Sequence, residues 1–259
     1  MAKINIEEYL EFINELADSA GKIAKKYFRN LDGFITKSDL TPVTIADREI
    51  EEIIREKIRS KYKNHGIIGE EFGQENEMAE YQWVIDPIDG TQSFIAGKPL
   101  FTTLIALNYQ NKPILGLIDQ PIIGDRWVGV TDEYSLFGNK KIIPNKAHNL
   151  KDAVLATTGP DWLRADILSK FNNLSTKVHK TIYGGDAYNY GLLASGYIDI
   201  IVETGLKPHD FCALAPVIKG AGYFITDFKG QELNSFSEGN VIATRSKELQ
   251  DITIDIISR

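Results

Sequence analysis

Two aspartates that lie three residues apart, Asp86 and Asp89, directly follow an apolar run at residues 83–85 that is typical of a buried strand. Pro87 stands between them and Gly90 follows, so the segment combines two carboxylates with a tight turn. Hard cations such as Mg²⁺ take oxygen ligands and usually share their site with substrate phosphates. The segment therefore indicates a metal-dependent phosphate chemistry, although Asp, Pro and Gly are also the commonest residues of ordinary turns.

A second short apolar run, at residues 67–69, also ends in acids, Glu70 and Glu71. In open α/β sheets, ligands bind outside the carboxyl ends of the strands. Two such strands would gather Glu70, Asp86 and Asp89, whose mutual repulsion needs cations to neutralise it. We therefore predict Glu70 as a metal ligand and Glu71 as a supporting residue. The alternative is that both are solvated loop acids, like the glutamates that follow them.

Three motifs, taken in order along the chain, resemble the inositol monophosphatase superfamily: GEE at residues 69–71, DPIDGT at 86–91 and HDFCALAPVIKGAG at 209–222. Residues 183–211 are most similar to the histidinol-phosphate phosphatase branch of that superfamily. The resemblance covers nearly the whole chain. It implies an α/β fold, an α-β-α-β-α sandwich, in which a half at residues 1–147 carries the metal motifs and a half at 148–259 closes the cleft.

The resemblance also implies metal ligands, position by position. Glu70, Asp86 and the backbone carbonyl of Ile88 match the ligands of a first Mg²⁺ ion. Asp86, Asp89 and Asp210 match those of a second, and two or three ions per active site are implied. An alternative for Asp210 is that it only compensates a helix dipole, because acids are favourable at a helix start.

Catalytic residues are implied in the same way. Glu70 and Thr91 match the pair that holds and deprotonates the attacking water, and Asp47 matches the partner of that threonine. Gly90 and Thr91 would offer backbone amides to the phosphate, which approaches closely because Gly90 has no side chain. From the residues alone, Thr91 is also an ordinary turn threonine, and Asp47 with Thr44 resembles a capping pair at a helix start.

Two further acids, Asp186 and Glu203, match positions that face the organic part of the substrate. Carboxylates at both places would complement the ammonium and imidazole of histidinol phosphate better than a neutral polyol. Alternatively, Asp186 caps the helix that starts at about residue 187, and Glu203 is a strand-end acid. His209 and Tyr223 depart from the superfamily pattern, and we expect both to alter packing behind Asp210 rather than the ligands.

The resulting prediction is a Mg²⁺-dependent phosphomonoesterase that hydrolyses histidinol phosphate, a step of histidine biosynthesis, by an activated water. One alternative is the same chemistry on inositol 1-phosphate or on a broad range of sugar phosphates. Another is a non-catalytic interaction protein on the same fold. The resemblance further implies inhibition by lithium and a homodimer that binds a small phosphomonoester.

Composition agrees with these predictions. A chain of 259 residues with 43% hydrophobic content can bury a large core. Its net charge of −7, with no long Lys/Arg run, excludes a nucleic-acid-binding stripe. Acids interrupt the N-terminal segment where a signal peptide would be apolar, and no segment approaches the ~20 apolar residues of a membrane span. The single cysteine, Cys212, fits a reducing compartment, so we predict a soluble cytoplasmic protein.

Hydrophobic periodicity predicts the elements that position these residues. Spacings of three and four predict a helix over residues 6–27 and a second helix from about Thr44, with a polar loop at 32–43 between them. The next predicted elements form an antiparallel meander, with strands at 103–107, 114–118, 127–130 and 134–137. Beyond residue 147, alternation predicts α/β layering, with strands at 153–157, 198–202 and 241–244 and helices at 187–195 and 211–222.

Overall fold

The computed structural model describes residues 6–30, 34–36 and 42–258, with the backbone alone at 34–36 and 42–44. Within these ranges the helices are α1 (Ile6–Tyr27), α2 (Ile45–Lys61), α3 (Thr91–Ile95), α4 (Ala165–Ser175), α5 (Tyr188–Ala194), α6 (Pro208–Phe211), α7 (Leu214–Gly220) and α8 (Lys247–Ser258). Two short 3₁₀ turns, Leu150–Asp152 and Pro160–Trp162, lie in the second half of the chain.

The strands form two sheets and a small ribbon. In chain order they are β1 (Phe34–Thr36), β2 (Pro42–Thr44), β3 (Gly66–Gly69), β4 (Gly73–Glu75), β5 (Tyr81–Asp89), β6 (Thr102–Tyr109), β7 (Lys112–Gln120), β8 (Asp125–Val130), β9 (Tyr134–Phe137), β10 (Lys140–Lys141), β11 (Val154–Thr157), β12 (Lys180–Tyr183), β13 (Ile200–Glu203), β14 (Phe224–Thr226) and β15 (Val241–Thr244). The larger sheet has the order β10-β9-β8-β7-β6-β5-β3-β4, and the smaller has the order β12-β11-β13-β15-β14.

One face of the larger sheet is covered by α1 and α2. Their apolar residues recur once per turn, as the sequence predicted, and Ile13, Leu16, Ile50 and Ile54 are fully buried. They belong to one core cluster with strand residues such as Ile85. This packing fixes the outer layer on one side of β5, the strand that carries Asp86 and Asp89.

The other face of the larger sheet meets a middle layer of helices. The backbone of α7 approaches β7 and β8 closely because two strand positions are glycines: a Cβ atom at Gly129 would lie 2.4 Å from Cα of Val217, and one at Gly116 would lie 2.1 Å from the carbonyl oxygen of Ala213. A second core cluster runs through this layer to the smaller sheet. The middle layer therefore joins the two sheets through a shared core.

The outer face of the smaller sheet is covered by α4 and α8, with Phe171, Leu174 and Ile257 in a third core cluster. The layers then run helix, sheet, helix, sheet, helix, which confirms the predicted α-β-α-β-α sandwich. The predicted boundary at residue 147 falls between β10 and β11, while the division into two halves stays a prediction. Within the described residues, no helix is long and apolar enough to cross a membrane.

The meander β6 to β9 and the helices α1 and α2 are confirmed, but three other predictions need correction. β5 does not stop before Asp86; it continues to Asp89 with an irregular register between the two aspartates, because Pro87 has no amide to donate. The predicted helix at 211–222 is two helices, with Pro216 in the first turn of α7, where proline is tolerated. The predicted loop at 32–43 contains the paired strands β1 and β2, and the rest of it lies outside the described residues.

Candidate active site

Two neighbouring parallel strands deliver the first acids. β3 pairs in parallel with β5, and Gly69 lies opposite Ile85. The next residue, Glu70, donates its backbone amide to the carbonyl of Ile85 at 3.2 Å, so Glu70 leaves the sheet beside Asp86. The irregularity in β5 then turns Asp89 toward the same edge. Glu70, Asp86 and Asp89 therefore lie close together at the ends of these strands, as the sequence predicted.

Asp210 reaches the cluster from the one-turn helix α6. Its Oδ2 accepts a hydrogen bond from the amide of Lys207 at 2.6 Å, which fixes the side chain at the helix start. Ligand atoms of Asp86, Asp89 and Asp210 all lie within 4.8 Å of one another. The dipole-compensating interpretation of Asp210 therefore does not exclude a ligand role, because the carboxylate that accepts the Lys207 amide also lies close to Asp86 and Asp89.

The clustered carboxylates oppose one another's ionisation. Burial, followed by the charges of Glu70, Asp89 and Asp210, raises the pKa of Asp86 well above its usual value. Burial and the neighbouring Asp186 similarly raise the pKa of Asp89. Oδ1 of Asp86 is buried and has no hydrogen-bond partner among the described residues. A cation would supply that partner and remove the repulsion, and carboxylate oxygens are ligands that Mg²⁺ takes, so these residues fit the implied metal.

His209 lies against the cluster, which corrects the expected role. Its Nε2 is 3.5 Å from Oδ1 of Asp210, and a ring nitrogen lies within 4.8 Å of carboxylate oxygens of Glu70 and Asp86. We expected His209 to pack behind Asp210, and that is wrong, because the imidazole faces the acids. Tyr223 is buried in the middle core cluster, which agrees with the packing role expected for it.

Asp89 is held from the opposite side of the cleft by the start of α5. Its Oδ2 accepts a hydrogen bond from the backbone amide of Ala187 at 2.7 Å. The alternative interpretation of Asp186 as the helix cap is thereby corrected: Ala187 is the N-cap residue of α5, and no side chain caps that helix. Asp186 instead adopts a φ of 43°, and a Cβ atom at Gly90 would lie 3.0 Å from its Oδ2.

Thr91 begins α3, and Gly90, with a φ of 81°, precedes it. The Thr91 hydroxyl donates a hydrogen bond to the carbonyl of Ile88 at 3.0 Å. Asp47 is buried on α2, and its charge contributes to the raised pKa of Asp86. The predicted capping pair of Asp47 with Thr44 cannot be followed, since the Thr44 side chain lies outside the described residues. The catalytic roles of Thr91 and Asp47 stay predictions.

Sequence reasoning missed a buried ion pair beneath Glu70. Glu51 and Arg55 on α2 are fully buried, with Nε and Oε1 2.8 Å apart. Glu51 also accepts backbone hydrogen bonds from Glu71 at 2.7 Å and Phe72 at 3.1 Å. The pair therefore fixes the turn that follows Glu70. The available signal was the i, i+4 spacing of Glu and Arg, but such pairs are also common on solvent-exposed helix faces.

Two cavities meet beside the carboxylates. One has a volume of about 400 Å³ and extends from Glu70 over Gly90 and Thr91. The other has a volume of about 190 Å³ and extends from Asp89 toward Glu203. Because residues of the wall are shared, the two form one cleft, with a metal end beside Glu70 and a second end at Glu203. The residues that line both cavities are Thr158, Trp162 and Asp186.

Glu203 ends β13 at the second end of this cleft. Its Oε1 accepts a hydrogen bond from the amide of Thr158 at 2.6 Å. Burial nevertheless raises the pKa of Glu203 to about 7. Burial and the charge of Asp210 raise the pKa of Asp186 to about 6. Both acids predicted to face the organic part of the substrate therefore line the same cavity.

Replacing Glu203 with glutamine is expected to change how the stability of the metal-free protein depends on pH. The pKa of Glu203 is raised from 4.5 to about 7. Its protonated form therefore contributes stability that is fully present below pH 4.5 and is lost as the pH rises through 7. Between pH 4.5 and about pH 8, the free energy of unfolding of the wild type should fall by about 3 kcal/mol more than that of Glu203→Gln.

Urea unfolding in the presence of a chelator, repeated across this pH range, measures the difference. Glu238→Gln is the matched control, because Glu238 is an exposed acid of the same kind. That control should follow the wild-type curve. Parallel curves for the wild type and Glu203→Gln would show that Glu203 ionises in the folded protein as easily as it does in water.

Known proteins similar to this chain share both its sequence and its fold. The model of the inositol monophosphatase family matches residues 5–259. An Arabidopsis thaliana protein named bifunctional phosphatase IMPL2, chloroplastic, is 43% identical over 246 residues, which cover 94% of this chain and 71% of that protein. A histidinol-phosphatase of Chlorobaculum parvum is 33% identical over 92% of each chain. The structure of an inositol monophosphatase from Zymomonas mobilis has a TM-score of 0.90 and 38% identity, covering 99% of this chain and 100% of that one.

Proposed function

Because this chain belongs to the inositol monophosphatase family, whose phosphatases act on small phosphomonoesters, we propose that it hydrolyses histidinol phosphate to histidinol and phosphate. The coarser activity, phosphoric monoester hydrolysis, is that of the family and of its named relatives. The observation that carries the finer proposal is a pair of carboxylates, buried Glu203 and half-buried Asp186, in the cavity next to the metal-binding acids.

The residues that would hold Mg²⁺ are Glu70, Asp86, Asp89, Asp210 and the carbonyl of Ile88. Bound Mg²⁺ supplies positive charge that neutralises the phosphate dianion and lowers the pKa of water in the site. The acids in turn fix where that charge lies. The short distances between Glu70 and Asp86, and among Asp86, Asp89 and Asp210, support this assignment. Oδ1 of Asp86, which has no hydrogen-bond partner among the described residues, supports it too.

The attacking water is positioned by Glu70 and Thr91 in this proposal. The Thr91 hydroxyl donates its one hydrogen bond to the carbonyl of Ile88, so its oxygen can accept a hydrogen bond from the water. Glu70 lines the same cavity and accepts the proton of the water as the general base. Backbone amides at the start of α3, from Gly90 and Thr91, donate to the phosphate oxygens.

Substrate choice follows from charge at the other end of the cleft. The metal end would be neutralised by Mg²⁺ and phosphate together, which leaves Asp186 and Glu203 to be balanced by the organic part. Histidinol carries an ammonium and an imidazole, whereas a polyol carries no cation. Carboxylates that a bound ligand covers without giving them a charged partner are costly, so a cationic ligand is favoured over a neutral one. The similarity to a named histidinol-phosphatase supports the same choice.

Phosphate release from a panel of three esters tests the proposal. Histidinol phosphate, inositol 1-phosphate and glycerol 2-phosphate are compared by kcat/KM, each with Mg²⁺ and with a chelator. We expect activity only with Mg²⁺ and the highest kcat/KM for histidinol phosphate. Preference for inositol 1-phosphate would replace the proposal with the alternative that the similarity to an inositol monophosphatase favours. The homodimer, lithium inhibition and cytoplasmic location stay predictions.

A further inference from the structure

Trp162 differs from the other two tryptophans of the chain because its side chain is not buried. Trp83 and Trp127 are at most 1% exposed, whereas Trp162 is 53% exposed. A large aromatic side chain held half in water forgoes much of the free energy that burial would give it. Trp162 lies in the wall of both cavities. A ligand bound in the cleft would therefore cover the exposed face of its ring.

The backbone that carries Trp162 is fastened to the end of β13. The carbonyl of Trp162 accepts a hydrogen bond from the Thr204 hydroxyl at 3.1 Å, and the same hydroxyl accepts one from the amide of Arg164 at 3.0 Å. At the other end of this turn, the amide of Thr158 donates to Glu203 at 2.6 Å. Trp162 and Glu203 are therefore positioned by the same strand end, so the backbone of Trp162 has a fixed relation to that carboxylate.

The indole also has room to lie along the wall. A Cβ atom at Gly159 would lie 3.2 Å from Cδ1 of Trp162, so the glycine leaves space for the ring to fold back over its own turn. The cavity at this point joins the aromatic face of Trp162 to two acids, Asp186 and Glu203. Lys98 is the single basic residue in the wall of either cavity, within the part of the chain that the structure describes, and it lies at the metal end.

We propose that Trp162, together with Glu203 and Asp186, forms a subsite for a planar ring that carries positive charge. The electron-rich face of an indole attracts such a ring, and the carboxylates complement its N–H groups. The inference rests on the proposed function, in which that ring is the imidazole of histidinol phosphate. Trp162 is a specificity-determining residue: it contacts the organic part of the substrate and leaves the chemistry at phosphorus to the acids.

Two substitutions separate aromatic character from bulk. Trp162→Phe keeps an aromatic face and Trp162→Leu keeps an apolar side chain without one. For Trp162→Leu, kcat/KM for histidinol phosphate should fall about three- to thirtyfold relative to the wild type. Trp162→Phe should retain most of the activity. For both variants, the loss of kcat/KM should be smaller with glycerol 2-phosphate, which has no ring to stack on Trp162, than with histidinol phosphate. Because the Trp162 side chain is half exposed, both variants should keep the fold, and thermal unfolding of each variant checks this.

Fluorescence quenching by acrylamide supplies a readout that needs no turnover. Trp162 should account for most of the quenching in the wild type, because the other tryptophans are buried, and Trp162→Phe should remove that component. Histidinol with inorganic phosphate, added as the ligand pair, should protect Trp162 from acrylamide. Inositol with inorganic phosphate should protect it less.

The outcomes distinguish this inference from the proposed function. Equal losses on all three esters, or no loss with Trp162→Leu, would overturn the ring subsite even if histidinol phosphate is the best substrate. A wild-type preference for inositol 1-phosphate would overturn the proposed function instead. In that event, protection of Trp162 by histidinol still decides the subsite, and absence of protection overturns it.

Discussion

Replacing Asp86 with asparagine is expected to lower kcat/KM for every phosphomonoester by on the order of a hundredfold or more, at least about 2.7 kcal/mol of transition-state stabilisation. Asp86 lies close to Glu70 and His209 on one side and to Asp89 and Asp210 on the other. Its replacement therefore weakens both groups of potential metal ligands. Asparagine has nearly the same shape, and the substitution removes a buried charge that its neighbours already disfavour. The fold should therefore be retained while activity is lost.

Phosphate release over a series of Mg²⁺ concentrations, with titration calorimetry of Mg²⁺ binding, measures this effect. Asp132→Asn is the matched control, because Asp132 is exposed in a turn with a φ of 59°, a conformation that asparagine tolerates. The control should keep wild-type activity and Mg²⁺ affinity. Retention of more than about a tenth of the wild-type rate by Asp86→Asn would contradict the metal-site assignment.

Asp186→Asn is expected to be selective in its effect. A hydrogen bond to a charged group contributes roughly 1.5–3 kcal/mol, so kcat/KM for histidinol phosphate should fall about ten- to a hundredfold. Hydrolysis of glycerol 2-phosphate should change little, since its organic part has no cation to pair with the carboxylate. The φ of 43° at this position suits asparagine as well as aspartate, so the backbone should not shift.

The selectivity is measured as kcat/KM of the wild type and of Asp186→Asn. The substrates are histidinol phosphate, inositol 1-phosphate and glycerol 2-phosphate. Because Asp186 lies close to Gly90, a general loss on all three esters is the result to watch for. Equal losses would mean that Asp186 holds the phosphate-binding turn in place and does not select the substrate. A drop confined to histidinol phosphate supports the proposed function.

The parts of the site that could be predicted from the sequence are those whose positions depend on residues close together in the chain. Asp86 and Asp89 stand directly after a strand, and Glu70 stands after the strand that pairs with it, so their meeting follows from local pattern and sheet geometry. The helices α1 and α2 could be predicted for a similar reason, because a repeat of apolar residues at helical spacing reports which face is buried.

The parts that could not be predicted depend on contacts between distant segments. The hydrogen bond from Ala187 to Asp89 joins residues 98 positions apart, and no local pattern reports it. His209 lies on a helix of a single turn, too short for periodicity to show which side faces the acids. Glu51 and Arg55 have the spacing of a surface pair, and only the packing of α2 on the larger sheet shows that they are buried.

That hydrogen bond between Ala187 and Asp89 also has a thermodynamic consequence. The acid belongs to the larger sheet and its donor to the helix layer between the sheets, so the repulsive cluster is complete only once those layers have docked. Docking of these layers thus brings like charges together, and a cation that binds them favours the docked state by mass action. A higher magnesium concentration should then raise the stability of the docked layers as well as the rate of phosphate release.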